Sequence, residues 1–251
     1  SSFDNKVKIW NTSTGTNTLI YSGHTDRVTN VAFNKGGDGN GNVASSSFDN
    51  TVQYWENAHG ILIYVIYNSS PILDVAIYSS RLVCANGDAG NATVHLVNDG
   101  TLLFTLQQPG GGQVQGVDIA SNFRVALIGM MNGNNLITIF DSISGAYIGT
   151  INTGFVSSNR VKLSSIGAFV VACGKDLYGA GYVTRIWNTT TSNLILTIPG
   201  HSDLPTEVVF RPDCFLGIPD KLASCSLDKT VRVTNAITGN LIFATTPGDA
   251  N

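Results

Sequence analysis

The chain has 251 residues, enough for one large β domain or two small ones. Hydrophobic residues make up 43% and charged residues 12%, which argues for a packed globular chain and against a disordered one. The formal net charge is −3 with no Lys/Arg cluster, so nucleic acid is a poor candidate partner.

The first ten residues, Ser1-Ser2-Phe3-Asp4-Asn5-Lys6-Val7-Lys8-Ile9-Trp10, read as a strand end, a tight Asp turn and a second strand. They carry no charged start followed by an apolar stretch, so no signal peptide is expected. Gly23-His24 follows, then short β-branched and apolar runs at Val28–Phe33 and Val43–Ser47. Between them, Asp38-Gly39-Asn40-Gly41-Asn42 resembles the opening of a calcium loop. The loop lacks its Gly, and Asp49 stands where a bidentate Glu is needed, so a Gly/Asn turn is expected. Ser46 to Trp55 then repeats the opening pattern almost residue for residue. Ile61 to Tyr67 is the longest apolar run and far too short to cross a membrane.

Weaker copies occupy the middle at Thr93–Val97, Leu136–Asp141 and Val183–Asn188. The runs Gly110-Gly111-Gly112 and Gly179-Ala180-Gly181 lack the Gly-Lys-Ser/Thr of a phosphate loop and are expected to connect blades at positive φ. Near the end come Gly200-His201, Val208–Phe210, Leu222–Ser224, and Cys225 to Thr234 in the turn-and-strand pattern, with a last strand at Asn240–Thr245. Equivalent positions are Trp10, Trp55, Val97, Phe140, Trp187 and Thr234, spaced 42 to 47 residues apart. That is the period of a four-stranded propeller blade. No stretch shows a sustained helical period, so almost no helix is expected.

The segment from Gly23-His24 through Val28–Phe33, Val43–Ser45, the Asp49 turn and Trp55 resembles a complete WD repeat. Gly200-His201, Val208–Phe210, Leu222–Ser224 and Asp228 resemble another that lacks the Trp. The resemblance implies an all-β chain of four-stranded antiparallel blades. About six are visible, the first incomplete, as part of a ring of at least six blades with seven favoured. The expected organisation is one propeller domain over 1–251. A partial blade spans 1–22, with repeats at about 23–67, 68–106, 107–151, 152–198 and 199–246. The opening blade lacks its first strand, so the chain is expected to be part of a longer protein.

His24, Ser45 and Asp49 have the composition of a hydrolase triad, as do His201, Ser224 and Asp228. A triad recurring at the repeat period is better explained by architecture. The resemblance implies structural hydrogen-bond networks of His24, Ser45, Asp49 and Trp55, and of His201, Ser224 and Asp228, the second without an indole because Thr234 replaces it. No G-x-S-x-G elbow is present.

The four histidines have no close spacing to one another or to Cys84, Cys173, Cys214 and Cys225, so no metal or cofactor is expected. The cysteines read as buried small hydrophobes.

For function, the resemblance implies a non-catalytic scaffold or adaptor that binds other proteins, within a larger assembly and without membrane insertion. The expected partner-binding face carries Phe3, Asp26, Arg27, Phe48, Asp203 and Leu227. The alternatives are a ligand-sensing propeller of a longer nucleotide-hydrolysing switch protein, and an enzyme with its site in the propeller channel. A cytoplasmic location is expected. Asn-x-Ser/Thr sequons at Asn11, Asn68, Asn91 and Asn188 keep secretion as an alternative.

Overall fold

A computed structural model describes residues 2–34, 41–87, 90–158, 160–212 and 219–245. Every regular element among them is a β-strand, and the strands pair antiparallel in six sheets. Among the described residues no helix is long and apolar enough to cross a membrane. The chain divides into two units, residues 1–117 and 118–251.

The first unit opens with a two-stranded pair, β1 (Val7–Trp10) and β2 (Asn17–Tyr21). The second blade is β3 (Val28–Phe33), β4 (Val43–Ser47), β5 (Thr51–Trp55) and β6 (Leu62–Tyr67), paired in sequence order. These are the strands expected from sequence, with the fourth starting one residue later. The third blade is β7 (Ile72–Tyr78), β8 (Arg81–Asn86), β9 (Asn91–Leu96) and β10 (Leu102–Gln107).

The fourth blade is β11 (Val114–Ile119), β12 (Arg124–Met131), β13 (Asn134–Asp141) and β14 (Tyr147–Asn152); the division between the units falls within β11. The fifth differs from a four-stranded blade. Its inner strand is broken into β15 (Phe155–Ser157) and β16 (Val161–Leu163). Both pair with β17 (Phe169–Asp176), followed by β18 (Tyr182–Asn188) and β19 (Leu194–His201). The sixth is β20 (Pro205–Phe210), β21 (Lys221–Ser226), β22 (Val231–Asn235) and β23 (Leu241–Ala244).

Burial explains the patterning. Every residue of β4 and β5 is buried, because both faces of a central strand are covered by neighbouring sheets. The outermost strand β6 leaves Leu62, Ile63 and Tyr67 exposed. Apolar clusters fill the seams: Val7, Tyr21, Val28, Val43 and Trp55 between the opening pair and the second blade, and Val171, Cys173, Ile198, Val208, Phe210 and Leu222 between the fifth and sixth. Cys84 and Cys173 are buried, Cys225 is partly buried, and Cys214 lies outside the described residues, as do Asp38, Gly39 and Asn40 of the acidic turn.

The glycine runs part company. Gly110 and Gly111, with φ of 83° and 70°, lie between blades as expected. Gly179 and Gly181, with φ of 92° and 78°, correct the expectation, because they form the tip of the β17–β18 hairpin inside the fifth blade. The tip is open enough that a side chain at either glycine would meet nothing within 4 Å.

Candidate functional site

The turn between the second and third strands of a blade begins with Ser47-Phe48-Asp49-Asn50 in the second blade. Ser47 Oγ accepts the Asp49 N–H at 3.0 Å, and Asp49 Oδ1 accepts the Thr51 N–H at 2.9 Å. Asn50 takes φ of 68°, a left-handed conformation that Asn tolerates better than most side chains. The turn therefore follows from local chemistry.

Asp49 also reaches inward. His24 Nδ1 lies 2.8 Å from Asp49 Oδ2, and His24 Nε2 lies 2.8 Å from Ser45 Oγ. The Trp55 indole N–H donates to the same Ser45 Oγ at 3.1 Å. A carboxylate on Nδ1 places a proton there, so Nε2 accepts from the Ser45 hydroxyl. Burial alone would raise the Asp49 carboxyl. Hydrogen bonds from Thr51, His24 and the Thr25 N–H outweigh it and hold the carboxyl below the ordinary range.

The sixth blade repeats this geometry. His201 Nδ1 is 2.9 Å from Asp228 Oδ2, His201 Nε2 is 2.8 Å from Ser224 Oγ, and Thr230 supports the carboxylate from both its N–H and its hydroxyl. Against the cost of burial, donors from Thr230, Ser202 and His201 hold Asp228 well below the ordinary range.

Ser-His-Asp contacts of this length are also those of a hydrolase. In the second blade the serine is unreachable: Ser45 is 0% exposed, and its oxygen is already engaged by His24 and Trp55. Among the described residues no group of three or more His, Cys, Asp or Glu side chains is placed to hold a metal ion.

The residues expected to meet partners sit on the same turns. Ser2 and Val28 exchange two backbone hydrogen bonds of 2.9 Å, which brings the Phe3 turn beside the Arg27 loop. The Arg27 guanidinium lies 3.6 Å from the Phe48 ring centroid and 5.4 Å from that of Phe3. Phe3 is 86% exposed, and Asp26 is exposed. Asp26 Oδ1 accepts the Arg27 N–H at 2.6 Å, and Ser47 Oγ donates to Asp26 O at 3.0 Å.

The second unit has the same frame with other side chains. Asp203 Oδ1 accepts the Leu204 N–H at 2.6 Å, Ser226 Oγ donates to Asp203 O at 2.8 Å, and Leu227 stands 59% exposed where Phe48 stands in the second blade.

With this geometry in view, the comparisons with known proteins agree. The family model described as "WD domain, G-beta repeat" matches residues 15–56 and 192–235. Two segments of the chain therefore match WD repeats. The two matched segments are those with the His-Ser-Asp networks, and the third and fourth blades keep the four-stranded antiparallel plan outside the matched segments. Periodic tryptophan protein 2 of Arabidopsis thaliana is 29% identical over 90 residues, which cover 36% of this chain and 10% of that protein. The chain thus matches only about a tenth of that relative's length.

Sequence patterning missed a second set of polar residues on the inner strands. Asn30, Asp74, Asp118, Lys162 and Glu207 recur every 44 or 45 residues. Asn30 donates to Asp74, whose other oxygen accepts the Val117 N–H at 3.1 Å. In the second unit Asp118 accepts the Leu163 N–H at 2.7 Å and lies 3.9 Å from Lys162, while Arg160 pairs with Glu207 at 3.3 Å. Within each unit these contacts link the first strand of one blade to the first strand of the next. The visible signal was an acid inside an apolar run, as in Leu73-Asp74-Val75.

Proposed function

We propose that this chain is a non-catalytic protein-interaction scaffold that meets partners in the first unit through the turns bearing Phe3, Asp26, Arg27 and Phe48, and in the second unit through the turns bearing Asp203 and Leu227. WD repeats imply a protein-interaction kind of function. The observation that carries the assignment of the face is the use of one rigid frame to display different side chains. Asp26 and Asp203 cap their turns with the same two hydrogen bonds, yet one turn presents Arg27 against Phe48 and the other presents Leu204 and Leu227. Identical frames with varied tips suit recognition, since aromatic and Arg side chains held in place lose little entropy on binding.

The test is quantitative affinity capture from the source organism with the wild type and two variants, Phe3→Ala/Phe48→Ala and Asp203→Ala/Leu227→Ala. All three chains are first shown to have the same far-UV circular dichroism. Expected is a partner held by the wild type at near-equal stoichiometry and lost from at least one variant. Retention of every partner by both variants would overturn the assignment of the face.

A further inference from the structure

The seam between the fifth and sixth blades differs from its counterpart in the second blade at four positions together. Aligning the Gly-His pairs and the Asp turns matches Val7 to Thr184, Tyr21 to Ile198, Gln53 to Arg232, and Trp55 to Thr234. In the first unit these residues close the seam. Tyr21 stacks on Trp55 with centroids 4.4 Å apart, the Tyr21 hydroxyl donates to Gln53 Oε1 at 2.6 Å, and Gln53 Nε2 donates to Gly23 O at 3.1 Å. Every polar tip has a partner and the indole fills the space.

In the second unit both rings are gone. A cavity of about 30 Å³ opens in their place, lined by Thr184, His201, Ser224, Arg232 and Thr234 among others. Its rim residues Pro199 and Leu241 are exposed, so solvent reaches it. A water needs roughly 10–15 Å³ of comparable space, so there is room for two oxygen-sized groups.

Three features give the cavity its chemistry. Arg232 Nε is buried without a hydrogen-bond partner, and among the described residues the guanidinium has no carboxylate beside it. Gly200 makes room for that guanidinium: a Cβ there would lie 2.5 Å from Arg232 Nη1, and the glycine holds φ at 145°. Ser224 lacks the indole donor that Ser45 receives from Trp55, because Thr234 occupies the position.

We propose that this cavity is a carboxylate-binding site in which Arg232 supplies the charge and the fork of donors, and Thr184 and Thr234 supply hydroxyls. A carboxylate has two oxygens of the size the cavity admits, and guanidinium forks pair with it in a bidentate way. The carboxylate is either a free small acid or one carried by a peptide, as an Asp or Glu side chain. The site goes beyond the turn face, from which it differs in residues and chemistry.

The test follows the Arg232 Nε–Hε resonance by ¹H–¹⁵N NMR while the full chain is titrated with acetate, with a blocked tripeptide holding one aspartate, and with its asparagine counterpart. Expected is a saturable shift with acetate or the aspartate peptide and none with the asparagine peptide. Tighter binding of the aspartate peptide identifies a peptide-borne acid as the source; equal or tighter binding of acetate identifies a free one.

Removing the fork in Arg232→Gln should weaken binding at least about tenfold, measured on the remaining cavity resonances. Thr234→Trp, which restores the indole and keeps Arg232, should abolish the shift. No saturable shift with either acid, the same shift with the asparagine peptide, or undiminished binding in Thr234→Trp would overturn the proposal.

Discussion

Replacing Trp55 by Thr would transplant into the second blade the residue that stands at the matching position of the sixth. Trp55 is 0% exposed, is packed with Val7, Val28 and Val43, stacks on Tyr21, and donates its indole N–H to Ser45. Truncating a buried Trp costs about 3–5 kcal/mol. The lost stack and hydrogen bond overlap with that figure, so the expected loss is about 4 kcal/mol. Because the chain divides into two units, one unfolding midpoint would mix their contributions. The suitable assay is native-state hydrogen exchange read by mass spectrometry. The opening free energy of residues 43–55 should fall by about that amount, with residues 205–235 little changed. A fall under about 1 kcal/mol at 43–55 would refute the view that this indole closes the seam.

Other expectations follow from the same structure. Asp74→Ala removes an acceptor that holds Asn30 and the Val117 N–H and should destabilise the first unit by about 3 kcal/mol, checked by native-state hydrogen exchange of residues 72–86. Asp49 and Asp228 are both held below their unfolded values, so the folded chain takes up their protons at lower pH than the unfolded chain does. Their stabilisation is complete above about pH 4 and is lost as pH falls through the folded values, and calorimetry across pH 6 to 2 should show a smaller acid-induced drop for Asp228→Asn than for wild type. Burial, aided by the Asp49 carboxylate, pushes the Tyr21 phenol up to about 12. Between the ordinary value near 10 and that value this phenol ionises only in the unfolded chain, so stability should fall as pH rises through this window; burial raises Tyr64 as well, so ultraviolet titration of Tyr21→Phe should show a late phase smaller by one tyrosine.

Much of the fold was legible because the strands and turns are specified locally. The Ser-x-Asp-Asn turn, the β-branched runs beside it and the repeating aromatic at its end fix the second blade to within one residue. The His-Ser-Asp contacts could be anticipated because their types recur at the blade period.

Other features depend on residues that meet only after folding. Asp74 reads as a break in an apolar run until its partners Asn30 and Val117 are brought to it from other strands. The cavity beside Arg232 needs the loss of two rings 36 residues apart in sequence, at Ile198 and Thr234, to be seen on one seam. The split inner strand of the fifth blade has no turn signature strong enough to announce it. Gly179 and Gly181 looked like a linker because hairpin tips and connecting loops draw on the same residues.

The most direct test of the scaffold assignment is hydrogen exchange of the chain alone and bound to a captured partner. Binding through the proposed face predicts new protection at residues 25–27 and 47–50, at 202–205 and 226–229, or at both sets. Protection confined to other segments, with these turns exchanging as in the free chain, would contradict it.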